Sequence, residues 1–370
     1  MSDPIRVLMV IGKMDRGGAE TIVMNLYRNI NRNRVQFDFA VHTYDKGDYD
    51  DEILALGGRI FYFPQYKVYN EIIYRKKWNE FFKTHGSEFK FVHGHIGSCA
   101  TIYLSEAKKF GIKTIAHSHS CMNGLYGKCF KILSFPQRYI ADWFLGCSDE
   151  AGIDRFGKKV VSNYKIYKTL SNGIDAKAYI YNPKIRNEYR KRFNVDDKLV
   201  IGHIGRFTYA KNHKFLIDVF KEIRKMREDS VLALVGRGEL ETEIREYVEK
   251  AGVSDSVIFG GVRSDISDFL QMYDVFVFPS IYEGLGIALV EAQAAGLPCI
   301  ISDIIPSIAC VTPNCKKLPL NDSPKAWAAE IIDMYEKTDR TNTYEYIKKS
   351  GFDIESVAQK LEDFYVTEEF

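Results

Sequence analysis

Short runs of β-branched and aromatic residues alternate with longer amphipathic stretches along this chain, and after one polar interruption the alternation begins again. No other feature limits the fold as much, because strands alternating with helical segments build βαβ units whose parallel strands share a helix-covered sheet. The first array predicts strands at 6–11, 36–42, 59–63, 91–95, 113–117, 143–147 and 165–170. Its helices are expected near 19–29, 50–56, 70–84, 98–110, 130–141 and 149–156. The stretch 182–197 is polar and basic, contains Pro183 and has no strand pattern, so the domain boundary is placed there. A second array follows, with strands at 199–204, 231–235, 257–259, 275–279 and 299–302. Helices near 214–227, 239–251, 265–272 and 286–295 separate them. Three polar helical stretches run from Pro324 onward, the last able to return across the first domain. At 370 residues the chain exceeds what one core usually organises. The expected fold is α/β, with two Rossmann-like, doubly wound parallel sheets: residues 1–180, residues 181–355 and a C-terminal helix at 356–370.

Composition removes several classes. With 46% hydrophobic and 27% charged residues the chain is neither disordered nor collagen-like. The most apolar run, 285–302, is interrupted by Glu291 and Gln293, so no membrane-spanning helix is expected. Asp3, Pro4 and Arg6 precede the first apolar run with no cleavage pattern behind it, which argues against a secretory signal. Seven cysteines, Cys99, Cys121, Cys129, Cys147, Cys299, Cys310 and Cys315, form no C-x-x-C pair and read as reduced thiols of a cytoplasmic protein. Residues 1–180 carry 26 Lys/Arg against 18 Asp/Glu, a net +8, which leaves −6 for the rest. A basic half attracts nucleic acid, an anionic membrane or a phosphorylated substrate, and charge alone does not choose among them.

In open parallel sheets ligands sit where strands run into helices, so those loops carry the chemistry. After the first strand comes Gly12-Lys13-Met14-Asp15-Arg16-Gly17-Gly18-Ala19-Glu20, which is neither a Walker A loop nor G-x-G-x-x-G. It reads either as an ordinary turn or as bare backbone N–H groups for a phosphate or sugar. Past the second domain's first strand stand Gly205, Arg206 and, five residues on, Lys211. A planar fork and a point charge together suit a diphosphate whose bond is breaking. Further on, Glu283-Gly284-Leu285-Gly286-Ile287 leads to Glu291, with a helix start near Gly286 as a second anion seat. If that span were one helix, the two carboxylates would stand about 12 Å apart, beyond the roughly 5–10 Å of a glycosidase pair. They suit accepting hydrogen bonds from ligand hydroxyls instead. Asp48-Tyr49-Asp50 fits a metal-binding D-x-D pattern, but three residues match by chance; it reads as a solvated loop and no metal is expected.

Taken in order, Gly205-Arg206-Phe207, Lys211-Asn212, Glu283, Glu291-Ala292 and Gly296-Leu297-Pro298 resemble the signature of retaining GT-B glycosyltransferases of family 4. The resemblance extends to Gly17-Gly18-Ala19-Glu20 and Asn172-Gly173-Ile174-Asp175, and is narrowest with bacterial enzymes of exopolysaccharide and capsule assembly. It implies two domains facing a cleft. Arg206 and Lys211 would hold the nucleotide diphosphate, Glu291 the ribose hydroxyls and Glu283 a donor-sugar hydroxyl. Backbone at 285–287 and at Gly17 and Gly18 would close on phosphate and sugar, with Arg263 near the base. The family's active-site histidine matches His117, with His119 two residues on and His93 and His95 ending the preceding strand. The implied reaction takes a UDP-hexose as donor and a glycan hydroxyl as acceptor, without cofactor or metal and with no nucleic-acid partner. A Rossmann oxidoreductase or epimerase lacks its G-x-G-x-x-G here; the alternative of a non-catalytic sugar-nucleotide or glycan-binding partner stays open. Finally, Tyr74-Arg75-Lys76-Lys77-Trp78 and Lys128-Cys129-Phe130-Lys131 mix cations with aromatics. They read either as peripheral contact with the inner face of the cell membrane, where a lipid-linked acceptor would arrive, or as helices with a core stripe at Trp78, Phe81 and Phe82.

Overall fold

The computed structural model describes residues 3–119 and 131–369. Cys121, Cys129, the basic-aromatic run at 128–130 and the start of the helix expected at 130 lie outside the described residues. The chain forms two compact units, 1–174 together with 353–370, and 175–352.

Among the described residues unit 1 holds seven strands: β1 (Ile5–Ile11), β2 (Val35–Val41), β3 (Ile60–Tyr62), β4 (Phe91–Gly94), β5 (Lys113–Ser118), β6 (Trp143–Gly146) and β7 (Tyr167–Thr169). They are parallel and ordered β3-β2-β1-β4-β5-β6-β7. Side chains alternate across a strand, so β1 feeds two cores. Val7, Met9 and Ile11 join one cluster, which the C-terminal helix Ile354–Thr367 completes with Leu361, Phe364 and Tyr365. Leu8 and Val10 join the other, covered by Tyr74, Trp78 and Phe82 of the helix Glu71–His85. Burial on both faces is why these strands read as continuous apolar runs.

Unit 2 holds six parallel strands: β8 (Leu199–Ile204), β9 (Ser230–Val235), β10 (Val257–Gly261), β11 (Val275–Phe278), β12 (Cys299–Ser302) and β13 (Cys315–Leu318). Their order is β10-β9-β8-β11-β12-β13. Leu199 and Ile201 of β8 pack with Leu216, Phe220 and Ile223 of the helix His213–Met226 and with Trp327 of the helix Pro324–Lys337.

Three differences from the sequence reading have physical causes. The units divide after 174 and after 352, not after 180 and 355. Ile174 forms a parallel bridge with Asp353 in unit 1, whereas the Tyr179 hydroxyl and the Asn182 N–H bond Glu291 and Gln271 of unit 2. The stretch read as a linker contains a helix, Pro183–Arg192, whose first turn is capped by the Asn182 side chain. Proline at the first turn costs no hydrogen bond there. Strand β13 was missed because its sequence, Cys-Lys-Lys-Leu, has edge-strand chemistry, with lysines and little apolar pattern.

Candidate active site

In unit 2 the strand order reverses between β8 and β11, and at such a switch point the loops diverge and leave a ligand crevice. The β8 loop brings Gly205, Arg206 and Lys211; the β11 loop brings Glu283. Lys211 and Glu283 form an ion pair, each side chain only 17% exposed. The Lys211 ammonium also lies 4.4 Å above the Phe278 ring. Backbone packs unusually closely here: a Cβ on Gly236 would fall 2.0 Å from the Gly205 carbonyl oxygen, so only glycine lets these two loops meet. Arg206 is exposed, and its guanidinium has no hydrogen bond or ion pair among the described residues.

Leu285 is buried, and Gly286, at φ +79°, turns the chain into the helix Ile287–Ala294. The helix begins after Glu283, so Glu283 stands in the loop and the single-helix spacing of about 12 Å does not apply. Glu291 projects from that helix, partly buried, and accepts a 2.9 Å hydrogen bond from the Tyr179 hydroxyl. Burial pushes its carboxyl up to about 7, the Tyr179 bond opposing. Tyr179 is a site residue that sequence reasoning missed: it lies in the chain entering unit 2, where no local pattern marks it. Arg263 is already engaged, 2.5 Å from Asp265 and stacked 4.4 Å over Phe269, which leaves it less free for a base than expected.

In unit 1 the switch point lies between β1 and β4, and the loops after β1, β2, β4 and β5 line a cavity of about 830 Å³, a size that accommodates a small ligand. Lys13, Glu20, Tyr44, Tyr66, His95 and His119 face it. Gly18 is open, but Gly17 is not a bare phosphate seat. A Cβ on Gly17 would lie 2.3 Å from the Glu20 carboxylate, so this chain's own anion already covers the backbone there. Burial raises the Glu20 carboxyl above its usual range. A carboxylate in that position accepts hydroxyl hydrogens and repels phosphate.

His117 is not the cavity residue. It sits on β5 at 1% exposure, its Nδ1 3.2 Å from His93 Nε2, whereas His119, past the strand end, lines the cavity and pairs through Nε2 with His95 Nδ1 at 2.7 Å. Burial, followed by the nearby Arg155 charge, pushes His119 down to about 3, so its ring is neutral at physiological pH. Asp50 corrects the solvated-loop reading of the D-x-D match: it is buried and accepts from the Gly47 N–H and the Tyr62 hydroxyl, both at 3.0 Å. Asp48 is exposed and accepts from the Arg16 N–H.

Comparison with known proteins agrees with this architecture. Residues 16–152 match the family described as Glycosyltransferase Family 4, and residues 185–352 match Glycosyl transferases group 1. The putative glycosyltransferase EpsF of Bacillus subtilis (strain 168) is 36% identical over 338 residues, 88% of this chain and 86% of that protein. The capsular polysaccharide biosynthesis glycosyltransferase CapH of Staphylococcus aureus is 25% identical over 98% of this chain and 99% of its own. Among solved structures, Anabaena Alr3699/HepE in complex with UDP superposes with a TM-score of 0.80 at 17% identity, covering 98% of this chain and 100% of that one. Two doubly wound parallel sheets with these matches define a glycosyltransferase of the GT-B class. The chain belongs to glycosyltransferase family 4.

Proposed function

We propose that this glycosyltransferase moves a hexose from a UDP-sugar to a hydroxyl of a growing exopolysaccharide or capsule glycan, with retention at the anomeric carbon and without a metal ion on the diphosphate. The observation that carries the reading is the group at the β8 and β11 strand ends: exposed Arg206, the Lys211–Glu283 pair and the helix start at Ile287. A diphosphate arriving there competes with Glu283 for Lys211, and Glu283, once released, accepts from a sugar hydroxyl. Arg206, Lys211 and the backbone N–H groups at 285–287 then stabilise charge developing on the leaving phosphate. Glu291, steadied by Tyr179, accepts from the ribose. With Glu283 engaged by Lys211 before the donor arrives and by a sugar hydroxyl afterwards, we assign no carboxylate as nucleophile, and attack comes from the leaving-group face, the departing phosphate taking the acceptor's proton. The unit 1 cavity, with Glu20, Tyr66 and neutral His119, suits a hydroxyl-rich acceptor. UDP is supported by the nucleotide bound in HepE, and the glycan class by the name of CapH.

The same reading includes a membrane-held acceptor, with a change of residues. Tyr74 and Trp78 are fully buried and cannot touch lipid. Exposed instead are Val68, Tyr69, Ile72 and Ile73, flanked by exposed Lys67, Lys76 and Lys77. No helix among the described residues is long and apolar enough to cross a membrane, so contact would be peripheral.

A thermal-shift screen of nucleotide sugars tests the donor, because a ligand that binds only the folded state raises the melting temperature with its affinity and concentration. The expected result is stabilisation by one UDP-hexose and by UDP, and release of UDP when a glycan acceptor is added. Stabilisation by no nucleotide sugar would reject the reading. Transfer should need neither Mg²⁺ nor Mn²⁺; full dependence on either would overturn the metal-free diphosphate.

A further inference from the structure

Four histidines stand on one face of two adjacent parallel strands of unit 1, and the acceptor reading uses only His119. His93 and His95 belong to β4 and its end, His117 and His119 to β5 and its end, and the strands are in register with His93 beside Ile115. With alternate residues on one face, all four rings fall together. His93 and His95 are 4.5 Å apart by ring centroid, and His117 and His119 are 4.1 Å apart. One nitrogen from each of His93, His95 and His117 lies within 4.8 Å of the other two.

Buried polar atoms are normally paired, and here they are not. His95 Nε2 and His117 Nε2 are sealed from solvent without a hydrogen-bond partner among the described residues, although His95 is 7% exposed as a residue and His117 1%. The opposite nitrogens are held: His119 Nε2 lies 2.7 Å from His95 Nδ1 and His93 Nε2 lies 3.2 Å from His117 Nδ1, while Tyr365 Oη lies 2.6 Å from His93 Nδ1. That is the pattern of metal-ligating imidazoles, in which one nitrogen faces the ion and the other is fixed by an outer partner. His93 Nε2 would exchange its 3.2 Å hydrogen bond to His117 Nδ1 for the ion.

We infer that His93, His95 and His117 form a binding site for a late first-row divalent ion of the Zn²⁺ class. No carboxylate belongs to the set, and imidazole alone selects such ions over Mg²⁺, Ca²⁺ or Mn²⁺. Three protein ligands leave a fourth position, and because His95 lines the 830 Å³ cavity that position opens toward it. His119 and Tyr365 are positioning residues that orient two of the ligands. The site lies wholly within unit 1 and is independent of how the donor is bound by unit 2.

The test is titration of Co²⁺ into untagged, chelator-treated full-length protein, followed by its visible absorption and by metal content after dialysis. The expected result is one ion per chain with the intense bands of a four- or five-coordinate nitrogen site, displaced by Zn²⁺. X-ray absorption on the bound ion should give three imidazole shells. His95→Gln should weaken binding at least tenfold, Tyr365→Phe should weaken it about 10–100-fold, and His85→Gln, a surface histidine, should leave it unchanged. Circular dichroism of each variant checks its fold, and the wild-type absorption experiment does not depend on any variant. Absence of saturable binding, an all-oxygen shell, or His95→Gln protein that binds like wild type would each overturn the site.

Discussion

Arg206 and Lys211 differ in what the fold has done with them. Arg206 is exposed without a partner among the described residues, while Lys211 is enclosed, paired with Glu283 and laid over Phe278. Arg206→Ala should therefore leave melting unchanged and lower kcat about 10²–10³-fold, the loss of one preorganised donor to developing charge. Lys211→Ala should lower kcat as much and also cost stability, because it leaves Glu283 without its partner. Wild-type turnover in either variant would remove that residue from the diphosphate. Glu291 makes a second prediction through pH. Its carboxyl is raised to about 7 by burial, so between the ordinary carboxylate range and pH 7 the folded state holds a proton that the unfolded state has lost. Stability contributed at this position therefore falls as pH rises through that window, by on the order of 2–3 kcal/mol, and Glu291→Gln should flatten the fall. Ligand binding should run the other way. The ionised form accepts two ribose hydroxyls, so UDP affinity should weaken as pH drops below 7 in wild type and be less pH-dependent in Glu291→Gln, measured by calorimetry. Legibility at this scale was uneven. Lys211 and Glu283 were read from loops past strand ends and Glu291 from its apolar neighbours, whereas Tyr179 acts only through a partner more than a hundred residues away. His119 was separable from His117 only once the end of β5 was known.

The helix Pro183–Arg192 is an element held by charge more than by apolar area. Its Arg186 and Arg190 both pair with buried Asp274, which also accepts from the Val200 N–H at the start of β8. Arg186 additionally donates to the Tyr273 carbonyl at 2.8 Å. Asp274→Asn would strand Arg190 in a buried position and should destabilise unit 2 by about 3–5 kcal/mol, read from urea unfolding followed by far-UV circular dichroism. A loss under about 1 kcal/mol would mean that apolar contacts hold the helix instead. This energetic basis explains why the element escaped the sequence. Hydrophobic periodicity finds elements that bury an apolar face, and β1, β8 and β11 were legible because they are buried on both faces. A helix whose buried residues are Tyr189 and Arg190 offers no such stripe, and the lysine-bearing edge strand β13 offers no alternation. The pairing order of the strands, which creates the two switch points, follows from long-range packing and is not written in any local run.

On the scale of the whole chain, the charge asymmetry read from the linear halves does not survive folding. Residues 353–370 join unit 1 and carry six acidic residues against one lysine. Unit 1 therefore has 26 Lys/Arg against 23 Asp/Glu, a net +3 in place of +8. Part of that acid is spent locally: Glu362 pairs with Arg34, and Glu368 with Lys90 and Lys113. A diffuse electrostatic attraction to an anionic bilayer is correspondingly weak, and the proposed membrane contact would rest on the local patch. There Ile72 is 85% and Ile73 71% exposed, beside Val68, Tyr69 and three lysines. Apolar insertion is not screened by salt, while lysine–headgroup attraction fades over a Debye length of about 8–10 Å. Cosedimentation with anionic vesicles should therefore show binding that falls as salt rises but retains a salt-resistant part. Ile72→Ser combined with Ile73→Ser should remove that part. At roughly 1–2 kcal/mol per inserted side chain, less than full burial, the partition coefficient should drop at least tenfold while the core beneath, Tyr74, Trp78 and Phe82, stays intact. Lys76→Gln with Lys77→Gln should reduce only the salt-sensitive part. If wild-type protein stays in the supernatant with highly anionic vesicles at low salt, the patch has another partner and the acceptor reaches unit 1 from solution.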